Sequence, residues 1–429
     1  MKFSWMGRIA MATLASLALG LGMTACGGGT IGYMWVLGDQ YNQITGFKID
    51  DFTGNLTQII GSPFTSNGVN PVSIVVKPGG RYVYVINQGT GGTRPIYNPT
   101  TCGSSTPTII SGKETSGGVA VYSVGGDGVL TFQQSYLTQG NMPMWAQFDG
   151  SGNFLYVLDK YSPDPKQIPT CGTTGSTPDT GSITAFSVDG STGRLTLVTN
   201  NAILNGGLPT TFFNVGPAPS MLKTAGGCLF TLDQGDNSVF PYSFGSNGQL
   251  ALTTTGNIPI SATTLSSING NGSNIFLTDQ AANRILPYTV GSNCNLALLA
   301  GGTTANLTGT SNPVYSLVDN SGKYLYVLNQ STVSTTTTTP FSSISAFTLN
   351  PSTGQLQGIS GSPYAVGSGP VCIVEDTSNQ YVYVSNRNDG TVTGKVIDST
   401  TGELAPLSRG STFPASGLGS CLAVSGAVR

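Results

Sequence analysis

The chain has 429 residues, among them 60 Gly and 24 Pro, with only 8 % charged and a net charge of −2. So few charges leave no basic groove for nucleic acid. The absence of histidine removes Ser-His-Asp and Cys-His nucleophile systems, histidine-ligated metals and haem, and the commonest general base.

At the start, Lys2 and Arg8 form a basic stretch ahead of an apolar run from Ile9 to Leu21 that is too short for a comfortable bilayer span. It leads into Leu21-Gly-Met-Thr-Ala-Cys26, which resembles the lipobox of bacterial lipoproteins, with Met23 where Leu is usual. The resemblance implies a signal peptide over 1–25, lipidation of Cys26, a flexible tether over 26–30 and a folded domain over 31–429. The protein would then be extracytoplasmic, held to a bacterial membrane at the periplasm or cell surface. The alternative is an ordinary signal peptide cleaved after Ala25, leaving a free thiol.

From Tyr33 onward one motif recurs. A short β-branched and aromatic strand ends at Asn or Asp, as in Tyr82-Val-Tyr-Val-Ile-Asn87, Phe154-Leu-Tyr-Val-Leu-Asp159, Tyr324-Leu-Tyr-Val-Leu-Asn329 and Tyr381-Val-Tyr-Val-Ser-Asn386. Cys228-Leu-Phe-Thr-Leu-Asp233 and Ile275-Phe-Leu-Thr-Asp279 are weaker copies. Another strand, a Gly-containing turn and a further strand follow each time. Period-2 alternation between turn residues predicts strands, and fixed-period repetition predicts repeat packing. Units begin near Ile31, Pro71, Pro143, Pro217, Ile260, Pro313 and Pro370. The first lacks its innermost strand. Gly419-Ser-Cys-Leu-Ala-Val424 aligns with Pro370-Val-Cys-Ile-Val374 but has no strands after it. The expected fold is therefore all-β: a seven-bladed β-propeller of four-stranded antiparallel blades, closed by the C-terminal strand joining the N-terminal blade.

On this topology the connections between strands 2 and 3, and from strand 4 to the next blade, share one face, here the top. The long insertions 89–117, 161–181 and 331–341 all fall there. Cys102 and Cys171 sit in adjacent insertions and are expected to pair. Cys372 and Cys421 occupy the same strand-1 position in neighbouring blades, so a bridge there would lock the closure. Cys228 and Cys294, the remaining pair, lie toward the bottom of blades four and five.

Each blade offers a polar pair at the top of strand 2, among them Asn87-Gln88, Asp159-Lys160, Asp233-Gln234, Asn329-Gln330 and Asn386-Arg387. Asn and Asp at strand ends commonly cap the backbone that follows. The functional alternative makes Asn87, Asn329 and Asn386, with the scarce cations Lys160, Arg284 and Arg387, the lining of a site for an anionic ligand; solvated surface charge is the competing reading. Asp159 and Asp233 are the weak candidates for a catalytic base. The loops at Asp149, Asp189 and Asp319 lack the ligand series of a calcium site and read as turns. No metal or cofactor is expected, and the chain is expected to be monomeric.

The Tyr-apolar-Tyr-Val-x-Asn strand, Ile344-Ser-Ala-Phe-Thr-Leu349, the turn Asn350-Pro-Ser-Thr-Gly-Gln-Leu356 with its repeat at Asp398–Leu404, and Gly61-Ser-Pro-Phe64 recurring as Gly361-Ser-Pro-Tyr364 together resemble the lactonase-like seven-bladed propellers. That is the family of 6-phosphogluconolactonase and the carboxy-muconate lactonising enzymes. The resemblance implies a central top-face site of His, Arg and Glu. Here the His is absent, no Glu aligns at the top, and only Arg284 and Arg387 answer to the Arg. The expected function is binding of a small anionic or carbohydrate-type ligand, or of a partner protein, on the top face. The alternative is lactone hydrolysis using an Asp base.

Overall fold

A computed structural model describes residues 29–90, 117–164, 180–205, 207–253, 256–332 and 341–426. Seven antiparallel sheets set radially form the blades, with the first strand innermost in blades 2 to 7, and Asn200–Asn205 pairs with Leu208–Thr210 in a separate two-stranded sheet. The inner strands of blades 2 to 7 are Pro71–Val76, Asn141–Phe148, Pro219–Ala225, Leu265–Asn271, Thr310–Val318 and Pro370–Glu375. Blade 1 takes its inner strand from the other end of the chain: Gly419–Gly426 pairs with Thr30–Gly38, placing Val424 opposite Met34 and Leu422 opposite Val36. The borrowed strand thus closes the ring. Blades 4 and 5 start slightly later than the repeat suggests. Phe213–Pro217 pairs back onto the third strand of blade 3, and Ile258–Pro259 onto that of blade 4.

The Tyr-x-Tyr repeat joins neighbouring blades. The second aromatic of strand 2 is buried and reaches the strand 3–4 turn of the next blade. Tyr84 donates to Gly193 O at 2.9 Å, Tyr156 to Gly248 O at 3.1 Å, Tyr326 to Gly402 O at 3.1 Å and Tyr383 to Gly54 O at 2.6 Å. Trp35 Nε1 does the same to Gly128 O at 3.1 Å. Phe230 and Phe276 fill the position in blades 4 and 5. These aromatics pack between blades. The turn glycine is required: Gly193 has φ +69°, and a Cβ there would lie 2.4 Å from the Tyr82 ring.

Cys228 and Cys294 are bridged between blades 4 and 5, with Cα atoms 5.8 Å apart. Cys372 and Cys421 are bridged between the inner strands of blades 7 and 1, at 5.3 Å. The second bridge fastens the closure. Cys26 and the Cys102–Cys171 pair lie outside the described residues. A Cys228→Ala/Cys294→Ala double variant should lose about 4 kcal/mol, the loop-closure value for a separation of 66 residues, read as a lower urea midpoint. An unchanged midpoint would show the bridge to be neutral.

Candidate functional site

At the top, the residues that end strand 2 are sunk into the fold. Asn87, Asp159, Asp233, Asp279, Asn329 and Asn386 are all buried. Asn87 Nδ2 donates to Ser66 O at 3.1 Å, and Asn329 Oδ1 accepts from Asn306 Nδ2 at 2.7 Å. Asn386 Nδ2 donates to Thr393 Oγ1 at 2.9 Å. Each is held by residues of its own blade or of the connection arriving from the preceding blade, rather than by the backbone that follows it. The glutamine that follows reaches sideways: Gln234 Nε2 donates to Leu265 O at 2.8 Å, and Gln280 Nε2 to Asn312 Oδ1 at 2.5 Å.

Asp159 accepts from the Thr184 hydroxyl at 2.7 Å and the Gly140 amide at 3.3 Å, and is fully buried. Burial pushes its carboxyl up to about 7 against those hydrogen bonds. Asp233 accepts from Thr231 and is pushed well up, again chiefly by burial. A catalytic base must touch water or substrate, and both carboxylates are buried away from the surface. The cations are also engaged. Arg284 Nε binds Asp279 at 3.0 Å and its Nη2 donates to Ser261 O at 2.8 Å. Arg387 Nη1 binds Asp39 of blade 1 at 2.5 Å, and Lys160 lies over the Tyr161 ring at 5.4 Å. Blades 3, 5 and 7 carry them, and among the described residues no contact joins the three. Asp149, Asp189 and Asp319 accept backbone N–H groups of their own turns.

A cavity of about 520 Å³ occupies the axis, lined by inner strands of all seven blades and, at its mouth, by strand 1–2 loop residues such as Pro78, Gly150 and Asn320. It therefore opens at the bottom. Trp145 of blade 3 and Tyr315 of blade 6 lie at its inner end, ring centroids 6.1 Å apart. Those blades are not neighbours, so the pair spans the axis.

One tier of the wall is set by register. The inner-strand residue facing the buried aromatic of strand 2 lines the cavity in every blade. Blades 3, 4 and 5 place Gln147, Lys223 and Asn269 there. Blades 6, 7, 1 and 2 place Leu317, Val374, Ala423 and Val75. At this tier the wall is polar on one side and apolar on the other.

Lys223 has no ion pair or hydrogen-bond partner among the described residues, and burial pulls its ammonium down to about 8. Glu375 also lines the cavity, at the end of the blade 7 inner strand. Its carboxylate accepts from the Asn320 amide at 2.6 Å. Burial raises it to about 7, aided by Asp319 and Asp376 and opposed by that hydrogen bond. Both groups escaped the sequence reading. The available signal was a lone Lys within Pro219–Ala225, at a position where four other blades carry an aliphatic residue.

The family model of the lactonase seven-bladed β-propellers matches residues 30–168 and 222–418. The chain belongs to the lactonase family. No curated protein sequence matches it. Among solved structures, this lactonase-family propeller is similar to the periplasmic gluconolactonase of Pseudomonas aeruginosa, at 15 % identity and a TM-score of 0.64, covering 93 % of this chain and 100 % of that one. It is equally similar to a Bacteroides fragilis protein provisionally described as a 6-phosphogluconolactonase, at 15 % identity and TM-score 0.65, covering 92 % and 98 %. A Lactobacillus plantarum protein matches at 14 % and 0.65, covering 92 % and 100 %. At such identities the likeness is one of fold.

Proposed function

We propose that this lactonase-family propeller is an extracytoplasmic, lipid-anchored protein that binds a small anionic ligand in its axial cavity. The supporting observation is the Lys223 ammonium in the cavity wall, which has no partner among the described residues. Lys223 is half-buried there; a charge recessed from bulk water without a counter-charge is disfavoured, and an anion entering the cavity would offset that. Gln147 and Asn269 flank the lysine on the adjacent blades. The anion site assigned in the sequence to Lys160, Arg284 and Arg387 moves to the axis on this reading, because those cations already have partners. The lipobox-like leader and the two disulfides fit an oxidising compartment.

The test is calorimetric titration of the purified protein with D-gluconate, 6-phosphogluconate and 3-phenylpropionate. Lys223→Met should weaken binding of whichever anion is taken by at least tenfold, the scale of one lost charge-assisted hydrogen bond. Equal binding by the variant would remove Lys223 from the site.

Glu375 favours a second reading, lactone hydrolysis. A cavity carboxyl that ionises near neutrality is suited to activating water, and Lys223 could stabilise the developing oxyanion. The base would then be Glu375 rather than Asp159 or Asp233. Acid release from D-glucono-δ-lactone should rise through pH 7 above the spontaneous rate and fall about 100-fold in Glu375→Gln, the usual share of a general base. A rate equal to the spontaneous one at every pH leaves binding alone.

A further inference from the structure

The divided wall carries information about the ligand beyond its charge. The potential hydrogen-bonding side chains of the middle tier belong to three consecutive blades, and they are partly committed. Asn269 Oδ1 accepts from the Gly270 amide at 2.7 Å, and Gln147 Nε2 makes long contacts with Phe148 O and Thr224 Oγ1 at 3.3 and 3.4 Å. What remains for a ligand is the Lys223 ammonium and the Asn269 amide nitrogen, enough for one carboxylate. Across the axis, Leu317, Val374, Ala423 and Val75 offer no polar side-chain atom. The inner end is closed by the Trp145 and Tyr315 rings.

A sugar acid would set several hydroxyls against that aliphatic wall, and each hydroxyl desolvated without a partner opposes binding. A second carboxylate would meet Glu375 on the blade 7 side and be repelled once that group is ionised. An apolar ring, by contrast, would remove both its own surface and the exposed wall from water.

We propose that the axial cavity takes an amphiphilic monocarboxylate with a flat apolar body, of the arylalkanoate type, with its carboxylate on Lys223 and its ring against Leu317, Val374 and the Trp145–Tyr315 pair. This rests on the reading of Lys223 as the anion anchor.

The test compares 3-phenylpropionate, its neutral amide, adipate and D-gluconate by calorimetry, with quenching of Trp145 fluorescence as a second readout. 3-Phenylpropionate should bind at least tenfold tighter than the other three, and Trp145→Phe should abolish the quenching but not the heat. Leu317→Asn should narrow the preference over gluconate. Val374→Thr, nearly isosteric, tests the same wall should the Asn variant fail to fold. Tighter binding of gluconate or adipate overturns this proposal and leaves Lys223 as an anion site. If none of these compounds nor 6-phosphogluconate binds the folded protein, the anion-binding reading falls with it.

Discussion

Deleting residues 419–429 should abolish cooperative folding. The deletion removes the inner strand of blade 1, opens the paired edge of Thr30–Gly38 and cuts the Cys372–Cys421 bridge. Buried Leu422 alone is worth about 2–5 kcal/mol by analogy with large-to-small core changes, and the disulfide about 2–4 more. Against a total stability of about 5–15 kcal/mol, little would remain. Thermal unfolding followed by circular dichroism should show a broad transition at least about 10 °C lower, or an aggregated product. A sharp transition within about 2 °C of the parent would mean that the ring does not depend on its borrowed strand.

The second large effect concerns pH. Asp159 is fully buried and its carboxyl is raised to about 7, whereas in the unfolded chain it ionises near 4. Below about pH 4 both states hold the proton and the folded form carries no penalty. As pH climbs from 4 to 7 the unfolded chain releases its proton first, so stability falls, and above 7 the loss is complete. Asp159→Asn should therefore raise stability at pH 8 by about 2–4 kcal/mol and change little at pH 4. Blades 2, 6 and 7 already carry Asn at this position, so the substitution copies a local solution. Denaturant midpoints at the two pH values decide it. A gain of equal size at pH 4 would point to packing rather than to ionisation.

Both predictions concern features of different legibility. The closure could be read from the sequence because Gly419–Val424 repeats the pattern of Pro370–Val374 without the strands that should follow. The Cys372–Cys421 bridge came from the same alignment, since equal register in neighbouring inner strands brings Cα atoms to bonding range. The aromatic contacts between blades were legible for a similar reason: a large residue at a fixed place in every repeat must meet the same neighbour each time.

The site was not legible in this way. Asn87, Asp159 and their counterparts look like surface residues at strand ends, and the connection arriving from the preceding blade covers them. Arg387 looks like a free cation until blade 7 is set beside blade 1 and Asp39 meets it.

What the sequence by itself determined is the repeat, its number and its closure, because these follow from periodicity along one strand and from copies of it. What only the tertiary structure decided is which residues share the axis. Gln147, Lys223 and Asn269 are scattered over more than a hundred positions of chain, and nothing local marks them as neighbours. They meet because seven inner strands run in register around one cavity, and the same convergence recesses Lys223 in its wall with no partner among the described residues.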